Sequence, residues 1–288
     1  MKRLKEFIVE WAVKASGIVS IVLVALIFFF LLKEGIFLFK TQGAGGFLAG
    51  RNWYPISEPP GFGILPLVLG SLLVTFGAAL ISIPLSVASA VYIAEIAPGW
   101  LKEVLKSTIE LLAAIPSVVL GFIGMMTVVP WIRSTFHVPT GLTAFAGSVV
   151  LAFMAMPTMI SIAEDALHSV PRMYKEGAYA LGATHWQTIR RVILPAASSG
   201  IVAAMMLGIG RVVGETMAVM MVTGNAASMP KGILYPVRTL TATIAAEMGE
   251  AVQGSDHYFA LFAIGIVLFV MTFMVNMAAD LFLHRRRG

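Results

Sequence analysis

Six stretches of this chain are each long and apolar enough to cross a lipid bilayer as a helix. They cover residues 16–32, 64–97, 108–131, 141–163, 192–223 and 259–283. A spanning helix needs about 20 predominantly apolar residues. Inside hydrocarbon a chain must pair its own backbone polar groups, and helices do so within one segment. The expected fold is therefore an all-α integral membrane protein with six transmembrane helices. Composition agrees. Apolar residues make up 58% of the 288, charged residues 12%, and mean hydropathy is +0.89. A soluble domain carries about 25% charged residues. So little polar surface excludes a soluble enzyme, a disordered chain and a nucleic-acid module. With no cysteine, there is no disulfide, thiol nucleophile or thiolate metal site.

The cations divide unevenly about the spans. One side holds Lys2, Arg3, Lys5, Lys14, Lys102, Lys106, Arg172, Lys175, Arg190, Arg191, Arg285, Arg286 and Arg287. The other holds Lys33, Lys40, Arg51, Arg133, Lys231 and Arg238. The positive-inside rule makes the richer side cytoplasmic, which puts both termini inside and agrees with an even number of spans. The net charge of +5 then reflects cytoplasmic loops rather than a nucleic-acid partner. The first apolar run is too long for a signal peptide and is read as an uncleaved span. Residues 1–63 form an N-terminal unit of cytoplasmic segment, first span and outer loop. Residues 64–288 form a core of five spans, with a cytoplasmic connection at about 164–191 and an outer loop at about 224–257. Within that outer loop, 239–252 reads as a short helix.

The cytoplasmic connection is patterned. Ser169 is placed to cap a helix, with Pro171 in its first turn. That helix runs to about Leu181, and Gly182 suits the position just past its end. Thr184-His185-Trp186-Gln187 fits a capping box that starts another. Glu176-Gly177-Ala178, then Gly182, then Val192-Ile193-Leu194-Pro195 resembles the E-A-A, three residues, G, nine residues, I-x-L-P loop of ABC importer permeases. Gly177 and Val192 depart from the pattern conservatively. The resemblance implies the type I ABC importer permease fold, in which this loop is a coupling helix seated on the ATP-binding subunit. Glu176, Gly177, Ala178, Gly182, Leu194 and Pro195 would then couple to the ATPase. The chain has no G-x-x-x-x-G-K-[ST] loop of its own.

One arginine lies inside a span. Arg211 is 16 residues beyond Pro195, roughly 24 Å along a helix. Glu215 follows four residues later, which on a continuous helix puts both on one face. A charge at that depth costs at least about 2.5–3.5 kcal/mol, so it faces a polar path or a partner. Two readings of the pair follow. One is a self-neutralising lock between helices. The other is an anion contact, with Glu215 as counter-ion to Arg211. Gly208, Gly210 and Gly214 beside them suit close approach of substrate or of another helix.

The run Gly210-Arg211-Val212-Val213-Gly214-Glu215-Thr216-Met217-Ala218-Val219 is similar to the G-R-x-x-G-E-T-M-A-V signature of the PstC permeases of phosphate ABC importers. Phe62-Gly63-Ile64-Leu65-Pro66-Leu67, Ile115-Pro116-Ser117-Val118-Val119 and Ala242-Thr243-Ile244-Ala245-Ala246-Glu247 also look like that family. The resemblance runs from about Phe62 to the C-terminus. It implies a bacterial or archaeal cell-membrane protein forming half of a phosphate path beside a PstA-type sister permease. A dimer of PstB-type ATP-binding subunits and an extracytoplasmic PstS-type phosphate-binding protein would complete the importer. ATP and magnesium would belong to the ATP-binding subunits, with no cofactor on this chain. A permease for sulfate or molybdate is the nearest alternative, and an ion-coupled anion carrier the alternative from another class.

Other residues carry less. Pro116 and Pro157 are expected to kink the third and fourth spans. Glu247, Glu250 and Asp256 read as a solvated outer face, and Glu164 with Asp165 as solvated carboxylates at a helix end. His137, His185 and His257 have no metal-ligand spacing.

Overall fold

The computed structural model describes residues 2–284; the cationic triplet Arg285, Arg286 and Arg287 lies outside them. Thirteen α-helices occur among the described residues: α1 (Lys2–Gln42), α2 (Ala44–Ala49), α3 (Leu65–Val91), α4 (Gly99–Ala113), α5 (Ser117–Phe136), α6 (Ala144–His168), α7 (Arg172–Ala180), α8 (His185–Thr188), α9 (Leu194–Ala196), α10 (Ser198–Val213), α11 (Met217–Val222), α12 (Leu240–Glu247) and α13 (Asp256–His284). A two-residue antiparallel hairpin, β1 (Trp53–Tyr54) with β2 (Gly61–Phe62), pairs Trp53 with Phe62. Two π turns continue helices, Tyr92–Ile96 after α3 and Ile189–Ile193 between α8 and α9.

Among the described residues, five segments meet the length and hydropathy of a membrane span: Val9–Lys40, Leu65–Ile96, Ser117–Phe136, Ala144–His168 and Asp256–Met277. A sixth forms if His185–Ala196 and Ser198–Val213 count together, although they meet at 69°. Two expectations change here. The third span does not start at 108. Its first residues belong to α4, and Pro116 ends that helix and caps α5. Proline cannot donate the amide that would continue the ladder, so the chain jogs at 114–116. The fifth span, expected over 192–223, is broken twice, at 197 and at 214–216.

The middle of the molecule is α6. It packs against α3, α10 and α4, and small residues permit the close approach typical of spans. A Cβ on Gly147 would stand 2.6 Å from the Thr223 methyl, and one on Gly208 only 2.1 Å from Met159 Cε. At the periphery α1 lies along α13, with Phe28 stacked on Phe269 at 4.6 Å and Phe37 on Phe259 at 5.1 Å.

The end of α6 corrects the reading of Glu164 as solvated. Its side chain is 3% exposed and meets Lys102 at 2.9 Å and Lys106 at 2.8 Å. Asp165 is exposed but also meets Lys106, at 2.8 Å. Lys102 and Lys106 are one helical turn apart on α4, so both ammonium groups reach the same carboxylate. The Asp165 and Glu164 carboxylates hold the Lys106 ammonium well above the usual lysine range. A raised lysine contributes its stability below the ordinary lysine pKa and loses it only above, so this clamp is constant at physiological pH.

α11 is fixed against α5 through Gly121, where a Cβ would stand 2.8 Å from Ala218 Cα. Gly121→Leu is therefore expected to cost about 1–3 kcal/mol by overpacking. Thermal unfolding in detergent checks this, with Gly17→Leu as the control because a Cβ at Gly17 has nothing within 4 Å. Equal midpoints for the two variants would contradict the packing.

Candidate functional site

The intramembrane charge sits near the end of α10. Arg211 is exposed on the isolated chain, and its NH1 donates to Thr158 Oγ1 of α6 at 3.1 Å. Thr158 lies 14 residues from the start of α6 and 10 from its end, about 21 Å and 15 Å along the axis. The hydrocarbon core is about 30 Å thick, so the contact is near mid-membrane. The neighbouring glycines differ. Gly208 is spent on packing against Met159, whereas a Cβ at Gly210 would meet nothing within 4 Å. Arg211 is itself exposed, so the space beside its guanidinium is open.

Glu215 does not pair with Arg211, and the expected counter-ion contact is corrected. The helix ends at Val213 with Gly214 as its cap, so four residues no longer mean one face. Glu215 Oε1 instead accepts from the Ala218 N–H at 3.0 Å and starts α11. Its backbone carbonyl accepts from Thr241 Oγ1 at 2.8 Å, and Thr216 Oγ1 donates to the Gly214 carbonyl at 3.3 Å. Thr241 belongs to α12, whose Leu240 N–H donates to Ser71 Oγ of α3 at 2.9 Å. The break at 214–216 is thus tied to two other elements. The short helix expected over 239–252 exists but is confined to Leu240–Glu247, with residues 240–243 buried.

At the α7 end, the expected corner is present. Gly182 has φ +81, a region where a Cβ is penalised. The Thr184–Gln187 capping box is reciprocal: Gln187 Oε1 accepts from the Thr184 N–H at 2.9 Å and Thr184 Oγ1 from the Gln187 N–H at 3.3 Å. Ser169 does not cap α7; it ends α6 and donates to the Ala166 carbonyl, leaving Pro171 at the α7 boundary. The connection is also shorter than expected, because α6 runs to His168. Glu176 and Gly177 are exposed, Ala178 half-buried, Leu194 half-buried and Pro195 exposed. Around them Met173, Tyr179, Trp186 and Leu181 are exposed too, Leu181 at 90%. Lys175 anchors the whole corner to Glu95, at 2.6 Å. Neither partner stood out in the sequence, since Glu95 looks like a routine charge at the end of a span.

The opposite end holds another hub that the sequence did not reveal. Glu247 was expected in a solvated face, but its side chain is 15% exposed. It accepts from Trp53 Nε1 at 3.1 Å, pairs with Arg238 NH1 at 2.5 Å and meets His257 Nε2 at 2.9 Å. This carboxylate joins the hairpin, the segment before α12 and the start of α13. Beside it lies a cleft of about 520 Å³, with Tyr54, Ile56 and Glu250 on its walls.

A family model for binding-protein-dependent transport system inner membrane components matches residues 82–288. The chain belongs to that family. Such an inner membrane component is a multi-pass cell-membrane protein and a transport subunit, and membership implies an ATPase and a substrate-binding partner. The probable ABC transporter permease protein YqgH of Bacillus subtilis is 41% identical over 277 residues, covering 96% of this chain and 90% of that protein. The phosphate transport system permease protein PstC of Haemophilus influenzae is 35% identical over 260 residues, covering 84% and 81%. PstC of Mesorhizobium japonicum is 36% identical over 258 residues, covering 83% and 78%. Among solved structures, a bacterial alginate ABC transporter aligns with a TM-score of 0.65 at 15% identity, covering 98% of this chain and 96% of that one. The MetNI methionine ABC transporter aligns with 0.63 at 22%, covering 80% and 99%. These two likenesses establish the ABC importer permease fold for this inner membrane component, and the PstC relatives match the family resemblance carried by 210–219.

The separation of Arg211 from Glu215 has a measurable consequence. Glu215→Ala should cost about 1 kcal/mol through the lost cap. Its coupling to Arg211→Ala in a double-mutant cycle on thermal stability should stay under about 0.5 kcal/mol. A coupling well above that would restore the ion pair.

Proposed function

We propose that this chain is a permease subunit of an ATP-driven importer of inorganic phosphate and forms half of its translocation path. The observation that carries this reading is the mid-membrane Arg211, exposed on its own chain and carrying no carboxylate partner among the described residues. A planar guanidinium offers two parallel donors to an oxyanion. The PstC relatives support phosphate as that oxyanion. Arg211 is the direct contact. Glu215 lines the path as the carboxylate that starts α11.

The proposed orientation puts α7 and both termini in the cytoplasm. Glu176, Gly177, Ala178, Gly182, Leu194 and Pro195 form the corner that rests on the ATP-binding subunits, with exposed Leu181 and Trp186 as apolar contacts. A PstB-type dimer there would hold ATP and magnesium, and this chain would bind no cofactor and hydrolyse nothing. A PstA-type sister permease would complete the path, and a PstS-type protein would deliver phosphate from outside. Residues 1–63 would act as a peripheral unit and 64–288 as the transport core.

Uptake of radiolabelled phosphate by cells whose only importer is this complex tests the site. Arg211→Gln should reduce uptake to background while the complex still assembles. Normal uptake by the assembled variant would remove Arg211 from the path. Gly182→Val tests the corner, because a β-branched residue at positive φ costs about 1–2 kcal/mol. It should lower transport-coupled ATP hydrolysis severalfold, and unchanged coupling would count against docking through this corner.

A further inference from the structure

We propose that Thr158 is a second ligand for the transported oxyanion, shared with Arg211; this rests on Arg211 being the anion contact proposed above. In an apolar helix a threonine hydroxyl normally returns its hydrogen to the carbonyl four residues earlier. Thr108, Thr127, Thr223 and Thr272 all do so, at 2.7–3.0 Å. Thr158 does not. Its oxygen accepts from Arg211 NH1 across the α6–α10 contact, and its own hydrogen has no acceptor among the described residues. A hydroxyl oxygen that accepts from a cation must aim its hydrogen elsewhere. The Arg211 side chain it holds is exposed, so open space borders the pair.

The pair thus presents donors of two kinds to one place. Arginine has five N–H groups, and one is used on Thr158. The remaining N–H groups and the Thr158 O–H are close enough for a single tetrahedral anion to accept from both. The spacing is held rather than adjustable, because Met159, the next residue on α6, fills the notch left by Gly208 on α10. A neutral hydroxyl suits a transport path. It adds a directed donor without a second buried charge, so the anion is held firmly enough to enter and loosely enough to leave.

The test uses the full complex in proteoliposomes, with ATP inside and orthophosphate-loaded binding protein outside. Thr158→Val keeps the shape and stays apolar in the span, while Thr158→Ser keeps the hydroxyl. At saturating binding protein, Thr158→Val is expected to lower phosphate uptake about tenfold, the usual effect of losing a hydrogen bond to a charged group. Stimulated ATPase activity should stay close to that of the unsubstituted complex, because the loaded binding protein still docks. Thr158→Ser should retain at least about half of the uptake. Wild-type uptake by Thr158→Val, with Arg211→Gln silent, would overturn the Thr158 assignment and leave Arg211 standing. Equal losses in the Val and Ser variants would overturn it as well, because packing of the γ-methyl would then be the cause. Normal uptake by Arg211→Gln would instead overturn the reading of the path itself.

Discussion

A backbone amide or carbonyl without a partner costs several kcal/mol in hydrocarbon, and this chain breaks one of its spans in the middle of the membrane. Everything around 214–216 follows from that constraint. The Glu215 carboxylate takes the Ala218 amide, the Thr216 hydroxyl takes the Gly214 carbonyl, and Thr241 reaches in from α12 to take the Glu215 carbonyl. The Thr223 carbonyl beyond α11 accepts from the Val237 amide. α12 is tucked into the molecule because the break needs its hydroxyl. Glu215 is thereby committed to the backbone and unavailable to Arg211.

Charge placement follows the same logic. Buried or half-buried carboxylates gather cations: Glu164 has Lys102 and Lys106, Glu95 has Lys175, and Glu247 has Arg238, with the His257 ring also against it. All three clusters lie at the ends of the spans, where they staple connections to the core. Arg211 is different. It is deep, exposed and held by one neutral hydroxyl, so compensation for its charge must come from outside this chain. A passing oxyanion and a facing subunit supply that compensation in the proposed function.

Hydropathy made the architecture legible, since apolar length alone decides what can span a bilayer. The corner at Gly182 and the capping box at Thr184 were also legible, because positive φ and reciprocal capping leave local residue signatures. The break at 214–216 was not. Val212, Val213, Met217 and Val219 continue the apolar run, and the termination depends on Thr241, 26 residues later. Four-residue spacing therefore suggested a shared face for Arg211 and Glu215 that the real backbone lacks. The partners of Thr158, Lys175 and Trp53 were invisible for a related reason. Each matters through a residue distant in sequence, and none has a chemistry unusual enough to mark it alone.

The most direct test of the account is ATP hydrolysis by the reconstituted complex with its binding protein presented in turn with phosphate, sulfate and molybdate. The account predicts stimulation by phosphate alone, because docking of the phosphate-loaded binding protein starts the cycle. Stimulation by sulfate or molybdate in place of phosphate would contradict it, keeping the permease fold and replacing the cargo.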